Sequence, residues 1–178
     1  MGIGSENIRT IAIAGHGQSG KTTLIENLAA VTGTIARAES VAGGKTLSDY
    51  TPEEIERKIS IYSAQVSMNW NDMVINFWDT PGSSDFMGEV IAAFRSAETG
   101  LMVLDAKSGV QIETIKYWRD LDRRNKPRLV FVNKMDEDRA DFNHALQDVK
   151  TQFNADVFAV TFPIGKGAEL TGIVDVLH

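Results

Sequence analysis

The sequence predicts an α/β domain: a mostly parallel sheet with one antiparallel edge strand and with helices on both faces. Apolar runs typical of strands alternate along the chain with segments whose apolar residues recur at helical spacing. The runs 101–104 and 129–132 are apolar at every position, which is typical of parallel strands buried on both faces. A polar stretch at 69–72 joins two strand-like runs and predicts an antiparallel hairpin.

These patterns assign most of the chain to secondary-structure elements. We predict strands at 8–14, 59–68, 73–79, 99–105 and 128–133, and helices at 20–32, 85–97, 111–125 and 138–152. Residues 33–58 are polar and show no sustained period, so we expect a long functional or irregular connection there. Two further strand-like runs, 157–162 and 172–177, lie in the tail. In a sheet of this kind, ligands bind at the carboxyl ends of the strands.

The composition bounds the class of protein. A length of 178 residues suits one α/β domain, and the absence of cysteine excludes a disulfide framework and a thiolate metal site. Residues 1–7 lack the basic start and apolar core of a signal peptide, and no apolar run is long enough to span a bilayer. We therefore expect a cytoplasmic protein without membrane attachment. The formal net charge of −6 disfavours broad nonspecific binding to nucleic acid, and we expect no direct sequence-specific nucleic-acid binding.

Residues 15–22 match the phosphate-binding pattern G-x-x-x-x-G-K-[ST] between a predicted strand and a predicted helix. The loop amides and the helix N-terminus of this motif point positive dipoles at phosphate. Lys21 would reach the β- and γ-phosphates, and the Thr22 hydroxyl would ligate Mg²⁺. The alternative, a glycine turn that contains Lys-Thr by chance, leaves the flanking strand and helix unexplained. The predicted nucleotide-binding residues of this loop are Gly15, His16, Gly17, Gln18, Ser19, Gly20, Lys21, Thr22 and Thr23.

A second polar motif, Asp79-Thr80-Pro81-Gly82, follows the predicted strand 73–79. An acidic residue at such a strand end can hold Mg²⁺, directly or through water. Gly82 can bring its backbone N–H to the γ-phosphate, because no side chain blocks the approach. In isolation the motif is typical of a Pro-Gly turn with a capping aspartate. Its position downstream of a phosphate loop favours the metal and phosphate role.

A third motif, Asn133-Lys134-Met135-Asp136, follows the predicted strand 128–133. A carboxylate such as that of Asp136 can accept hydrogen bonds from guanine N1–H and N2–H₂ together, whereas adenine offers no such donor pair. Lys134 would lie along the base and Asn133 would brace the loop. The alternative is a polar turn between strand and helix. As the third motif at a strand end, the tetrapeptide favours guanine and disfavours an adenine-specific phosphate-loop enzyme.

In order and spacing, the three motifs resemble those of the G domain of GTPases. The segment 49–61 resembles switch I of translational GTPases, and 78–86 resembles their switch II. The runs 108–114 and 118–119, and the runs 162–165 and 172–175 in the tail, are similar to the elongation factor G subgroup. The resemblance covers nearly the whole chain. It implies a GTPase that binds GTP or GDP with Mg²⁺ and that the ribosome stimulates, in translocation or a related step of translation.

The resemblance also implies an organisation and a chemistry for the chain. The G-domain core would span 1–155, with switch I at about 33–60 and switch II at about 79–97, and 156–178 would begin an inserted subdomain. Hydrolysis would proceed by Mg²⁺-assisted in-line attack of water on the γ-phosphate. The Mg²⁺ ligands we expect are Thr22, Ser60 and Asp79; the residues at the catalytic positions are Lys21, Gly82 and Ser83. We expect a monomer.

Three positions depart from the family pattern and indicate a divergent paralogue. Ser60 stands where the family has the threonine that binds Mg²⁺, and it retains a hydroxyl. Lys58 replaces a glycine, which restricts the backbone. Ser83 replaces the histidine that orients the attacking water, so either hydrolysis is slower or another group positions the water. A nucleotide-binding switch with little turnover, from a ribosome-recycling or tetracycline-resistance type of paralogue, is therefore the alternative to an active GTPase.

The family closes its guanine pocket with a Ser-Ala loop, which follows the inserted subdomain. No Ser-Ala pair follows the third motif in this sequence, and Ser63-Ala64 lies on a predicted strand far upstream. We therefore expect this chain to be a fragment of a larger factor that lacks the last strand and helix of the G domain. Its affinity for nucleotide should be weaker than that of the full-length protein, because one wall of the base site would be absent.

Overall fold

The main sheet of the computed structural model, which describes residues 4–177, contains five strands. Their bounds are β1 Ile8–Ala14, β2 Ala64–Trp70, β3 Met73–Asp79, β4 Thr99–Asp105 and β5 Arg128–Asn133. The spatial order is β2-β3-β1-β4-β5, and every neighbouring pair is parallel except β2 with β3. The predicted parallel sheet with one antiparallel edge strand is therefore confirmed. Two further strands, β6 Thr161–Ile164 and β7 Gly172–Asp175, form a separate antiparallel hairpin.

Helices cover both faces of the main sheet. They are α1 Lys21–Val31, α2 Pro52–Arg57, α3 Met87–Ser96, α4 Ile112–Arg123 and α5 Phe142–Phe153. Successive strand residues point to opposite faces. Accordingly, Ile13 packs with Ile25 of α1, whereas Ala12 packs in a second core with Phe94 of α3 and Leu121 of α4. Within residues 4–177, no helix is long and apolar enough to cross a membrane.

The predicted hairpin forms, with a tighter turn than expected. Asn69 and Trp70 belong to β2, and Trp70 pairs with Met73 at the start of β3. The turn is reduced to Asn71 and Asp72, whose φ angles are 47° and 63°. Two consecutive residues in the left-handed region suit a two-residue hairpin, because that turn matches the twist of the strands, and Asn and Asp tolerate the region better than most residues.

The predicted start of β2 was wrong. We expected a strand from residue 59, but β2 begins at Ala64. The backbone N–H groups of Ile61, Tyr62 and Ser63 donate to glutamate side chains, so they are not available for a strand ladder. The apolar pattern of this segment does not reveal those long-range partners.

The segment 33–58 contains a helix that the periodicity missed. Helix α2 has six residues, too few to show a helical period. Its start carries a capping box: the Thr51 hydroxyl accepts from the Glu54 N–H, the Glu54 carboxylate accepts from the Thr51 N–H, and Pro52 occupies the first turn. The run Thr-Pro-x-Glu is a recognised helix start, so capping chemistry could have predicted α2 where periodicity could not.

Other predicted ends shift by a few residues for local reasons. Helix α5 starts at Phe142 and not at 138, because the Asp141 carboxylate caps it by accepting from the His144 N–H at 2.9 Å. Helix α3 starts at Met87, after a short 3-10 turn at Ser84–Phe86. The first tail strand, expected at 157–162, is β6 at Thr161–Ile164. Helices α1 and α4 lie within the predicted ranges.

Candidate nucleotide-binding site

The phosphate loop joins the end of β1 to the start of α1 and folds around the side chain of Lys21. This residue is only 6% exposed, and its Nζ donates to the backbone carbonyls of Gly15 and His16, both at 3.0 Å. Burial lowers the pKa of Lys21 to about 8, although the nearby charge of Asp79 opposes the shift. The ammonium group is therefore still largely protonated at neutral pH. It is a buried cation inside a loop of backbone amides, an arrangement that suits a phosphate anion.

Two glycines give the loop its shape. Gly20 has a φ of +94°, and a Cβ there would lie 2.2 Å from the side-chain amide nitrogen of Asn133. A Cβ at Gly15 would lie 2.3 Å from the Val103 carbonyl oxygen. At both positions a side chain would force neighbouring groups apart. At the loop tip Gly17 and Gln18 are exposed, as is Thr23 in the first turn of α1, whereas Ser19 is fully buried.

Asp79, at the end of β3, meets the start of α1. Its Oδ2 accepts from the Thr22 hydroxyl at 2.8 Å and from the Ser48 hydroxyl at 2.6 Å. Its Oδ1 is buried and has no hydrogen-bond partner among the described residues. Burial raises the pKa of this carboxyl group, against the lowering effect of its two hydroxyl donors and of Lys21. An unsatisfied buried carboxylate oxygen is costly, and a cation or its bound water would satisfy it.

Ser60, three residues after the end of α2, lies close to Thr22 and therefore near Asp79. Its hydroxyl lies 3.4 Å from that of Thr22 and donates to Asp49 Oδ1 at 2.7 Å. The predicted metal ligands Thr22, Ser60 and Asp79 are therefore brought together. Their hydroxyl and carboxylate oxygens fit Mg²⁺, which binds through few protein oxygens together with phosphates and water. Residues 4–177 contain no cluster of three His, Asp or Glu side chains that could hold a metal by themselves.

Gly82 lies directly over the phosphate loop. A Cβ at this position would lie 2.7 Å from Gly17 Cα and 2.7 Å from Lys21 Nζ. Any side chain here would fill the space beside the ammonium group. The backbone of residue 82 can therefore come close to a bound phosphate only because it is glycine.

Ser83 makes its side-chain hydrogen bonds with Asp85. Its hydroxyl accepts from the Asp85 N–H and donates to Asp85 Oδ2, both at 3.3 Å, and so caps the 3-10 turn before α3. The phosphate loop itself carries an imidazole, that of His16, whose Nδ1 is buried without a partner among the described residues. Burial and then the charge of Lys21 lower the pKa of His16, which favours its neutral form.

The base-reading motif starts at the end of β5. Asn133 Nδ2 donates to the Ser19 carbonyl at 2.9 Å and so ties this motif to the phosphate loop. Lys134 has a φ of 59°, and its Nζ forms ion pairs with Asp105 at 3.1 Å and Glu137 at 3.4 Å. Asp136 is exposed beyond it. A carboxylate open to solvent next to the loop can accept hydrogen bonds from an incoming base.

Sequence reasoning missed three side chains at the site. Ser48 and Asp49 lie in or beside the segment compared with switch I, but the motifs assign neither of them a role. Asp105 ends β4, as Asp79 ends β3, and it orients Lys134 while its Oδ1 accepts from the N–H of Lys107 at 2.9 Å. Its place after the apolar run 101–104 repeats the strand-end pattern that singled out Asp79, so the same rule could have found it.

Known proteins are similar to this chain in sequence and in fold. The family model described as the elongation factor Tu GTP binding domain matches residues 6–176. Mitochondrial ribosome-releasing factor 2 of Anopheles gambiae is 38% identical over 175 residues, which cover 98% of this chain and 24% of that protein. Elongation factor G of Petrotoga mobilis is 41% identical over 172 residues, which cover 97% of this chain and 25% of that protein.

A solved crystal structure from Thermus thermophilus has a TM-score of 0.90 to this fold at 33% identity, and the match covers 96% of this chain and 26% of that one. The chain thus spans about a quarter of the length of the curated relatives it matches. Since the family model matches residues 6–176, nearly the whole chain, the chain belongs to the elongation factor Tu GTP binding domain family, and it is a GTP-binding domain of the elongation factor G-like type.

Proposed function

We propose that this chain binds GTP with Mg²⁺ and hydrolyses it, as the G domain of a ribosome-dependent translation factor. The observation that carries the proposal is the meeting of three motifs at the carboxyl ends of β1, β3 and β5. The hydrogen bond from Thr22 to Asp79 joins the first motif to the second, and the hydrogen bond from Asn133 to Ser19 joins the third to the first. Phosphate, metal and base contacts would then act on one nucleotide.

In this proposal the phosphates bind in the loop around Lys21. The protonated amine would exchange its bonds to the carbonyls of Gly15 and His16 for stronger, charge-assisted bonds to phosphate oxygens. The dipole of α1 adds to the same field, because the helix begins at Lys21. Both groups would stabilise the negative charge that develops on the phosphoryl oxygens during hydrolysis.

Thr22 and Ser60 would hold Mg²⁺, with Asp79 supporting the ion directly or through water. When bound, the ion would act as a Lewis acid on the phosphate oxygens. Gly82 would donate its backbone N–H to the γ-phosphate. Asn133 would keep the loop and the base-reading motif in register, and Asp136 would select guanine by accepting from N1–H and N2–H₂.

A second candidate is a nucleotide-dependent switch with little turnover. Ser83 favours it, because this hydroxyl is engaged with Asp85 and cannot act as an imidazole would. Both candidates require GTP and Mg²⁺, and they differ in the rate of the chemical step. Ribosomes would be the activating partner of the first candidate.

Phosphate release from GTP by the full-length factor, measured at one protein concentration with and without ribosomes, tests the proposal. We expect slow release by the protein alone and an increase of about tenfold or more with ribosomes, the minimum expected of an activating partner in this class. GTP binding without ribosome-stimulated release would contradict the hydrolytic function and favour the switch. Release that is equally fast with ATP would contradict the guanine-specific site.

The same proposal covers the organisation and setting of the chain. We infer a G-domain core at 1–155, with switch I at about 33–60 and switch II at about 79–97, and the start of an inserted subdomain at 156–178. The hairpin of β6 and β7, separate from the main sheet, supports the last boundary. We expect a monomer that contacts the ribosome and no membrane. The cytoplasm stays the predicted compartment, although the relatives include factors named as mitochondrial.

A further inference from the structure

Three successive backbone N–H groups that follow Ser60 are bound by the side chains of two glutamates. Glu54 Oε1 accepts from Ile61 at 2.9 Å and from Tyr62 at 3.0 Å. Glu89 Oε2 accepts from Ser63 at 2.9 Å. Glu54 lies on α2 and Glu89 lies on α3, so the strand-like run 61–63 is held from two different helices.

Glu54 binds the chain on both sides of Ser60. Its second oxygen, Oε2, accepts from the Thr51 N–H at 3.0 Å, from the Thr51 hydroxyl at 2.8 Å and from the Tyr50 N–H at 3.3 Å. The residue is fully buried. A buried carboxylate is costly unless several donors solvate it, and here these donors do so together with Ile61 and Tyr62. The Glu54 side chain therefore fixes the backbone directly before α2, at residues 50–51, and the backbone after it, at residues 61–62.

Between these anchors the chain reverses sharply and presents Ser60 to the site. Lys58 ends α2 with a φ of 55°, and its N–H donates to the Glu54 carbonyl. Two residues later the Ser60 hydroxyl lies 3.4 Å from that of Thr22. The position of this hydroxyl is therefore set by its own bond to Asp49 Oδ1 at 2.7 Å and, through the backbone, by the turn before it and the glutamate bonds directly after it.

Glu89 connects this arrangement to α3, the helix that follows the Gly82 turn. Glu89 is in the first turn of α3, seven residues after Gly82. A movement of α3 would displace the N–H of Ser63 and, through the intervening peptide units, the backbone of Ser60. The hydrogen bond between Glu89 and Ser63 thus connects the segment that carries Ser60 to the segment that carries Gly82 and α3.

We propose that Glu54 and Glu89 are positioning residues: together they hold the Ser60 hydroxyl beside Thr22 and couple cation binding to the placement of α3. This inference rests on the proposed function, because it assigns the cation to Thr22 and Ser60. Neither glutamate is a metal ligand in it. Each acts through the backbone that carries Ser60.

The test compares Glu54→Gln, Glu89→Gln and the double variant with Glu53→Gln, a control on the exposed side of the same helix α2. The readout is the Mg²⁺ concentration that half-saturates binding of a non-hydrolysable GTP analogue, alongside the affinity for GDP without Mg²⁺. We expect each positioning variant to require about tenfold more Mg²⁺, because the amide that replaces the carboxylate is a neutral and weaker acceptor and, at position 54, keeps only one of the two accepting oxygens. GDP affinity without Mg²⁺ should stay within about twofold, since the phosphate loop is untouched.

Coupling between the two glutamates gives a second readout. If both act through the Ser60 backbone, the effect of the double variant should be smaller than the product of the single effects. An unchanged Mg²⁺ requirement would overturn the inference, and so would an equal loss of GDP affinity, which indicates general damage to the fold. If Glu54→Gln does not fold, Glu89→Gln, at a residue that is only partly buried, decides the result. Failure of the wild type to bind the analogue would instead overturn the proposed function.

Discussion

The side-chain amide of Asn133 donates to the carbonyl of Ser19 across 114 positions of sequence, at 2.9 Å. This one bond fixes the distance between the phosphate loop and the motif predicted to read the base. It depends on Gly20, where a Cβ would lie 2.2 Å from the donating nitrogen. Close approach of the two loops therefore requires both the asparagine and the glycine.

Asn133→Ala should weaken GDP binding by about tenfold, because removal of the donor leaves the Ser19 carbonyl unpaired and loosens the base loop. Isothermal titration measures the change. Asn143→Ala, at an exposed position of α5, is the matched control and should leave the affinity unchanged. Equal affinities for the wild type and Asn133→Ala would contradict the bracing role.

Lys58→Gly should raise the free energy of unfolding by about 1 kcal/mol, because the left-handed region is costly for a residue with a Cβ. Lys58 adopts that region, with a φ of 55°. Urea unfolding of the nucleotide-free protein measures the gain. Lys58→Ala removes the same charge but keeps a Cβ, so it should give no such gain. If Lys58→Gly and Lys58→Ala increase the stability equally, the cause is the loss of the lysine charge and not the relief of the left-handed backbone conformation.

Ser83→His should accelerate GTP hydrolysis by about tenfold or more, if the imidazole takes part in proton transfer or orientation of the attacking water. The variant also loses the hydroxyl that caps the 3-10 turn at Ser84–Phe86 by accepting from the Asp85 N–H, so this turn should be slightly destabilised. Single-turnover phosphate release measures the rate. Ser84→His adds the same ring one residue further on, at an exposed position. Acceleration in both variants, or in neither, would argue against a specific role for position 83.

The stabilising effect of Glu54 should disappear in acid. Burial raises the pKa of this carboxyl group, but its hydrogen-bond donors together lower the pKa by more than burial raises it. These donors are the N–H groups of Ile61, Tyr62 and Thr51 and the Thr51 hydroxyl, and the net pKa lies below its ordinary value of 4.5. A group whose pKa is lowered by folding stabilises the protein above its unfolded pKa. That stabilisation is lost as the pH falls through the folded pKa.

Urea unfolding of the wild type and Glu54→Gln over a pH series measures this effect. At neutral pH the wild type should be more stable by about 1–3 kcal/mol, and the difference should shrink as the pH falls below 4.5. Glu53→Gln should show no comparable difference, because that side chain is exposed. A difference that does not change with pH would mean that the charge of Glu54 is unimportant.

Local patterns predicted the parts of the fold that local chemistry determines. The bounds of β1, β3, β4 and β5 agree with the prediction, because an uninterrupted apolar run such as 101–104 favours a strand in an α/β domain. The expectation that 129–132 is buried on both faces was wrong, because β5 is an edge strand and Leu129 and Phe131 are 54% and 39% exposed. The phosphate loop was recognisable because its glycines and Lys21 are adjacent in sequence. Helix α2 was missed because six residues carry no period, although its capping residues were visible.

The remainder of the site depends on contacts between distant segments. The strand expected from residue 59 is replaced by bonds to Glu54 and Glu89, and nothing in the pattern of 59–63 reveals those partners. Similarly, Asp105 acquires its role only when β4 and β5 place it beside Lys134. Sequence motifs therefore singled out residues that meet at the site, such as Thr22 and Asp79, but not the residues that hold them in place.

Competition between guanine and adenine nucleotides tests the central claim most directly. A fluorescent GDP analogue bound to the 178-residue protein is displaced by unlabelled GDP or ADP, with wild-type protein and with Asp136→Ala. We predict that wild type requires at least about a thousandfold more ADP than GDP, and that Asp136→Ala loses most of this preference. Displacement by GDP and ADP at similar concentrations from the wild type would contradict a guanine site built on Asp136.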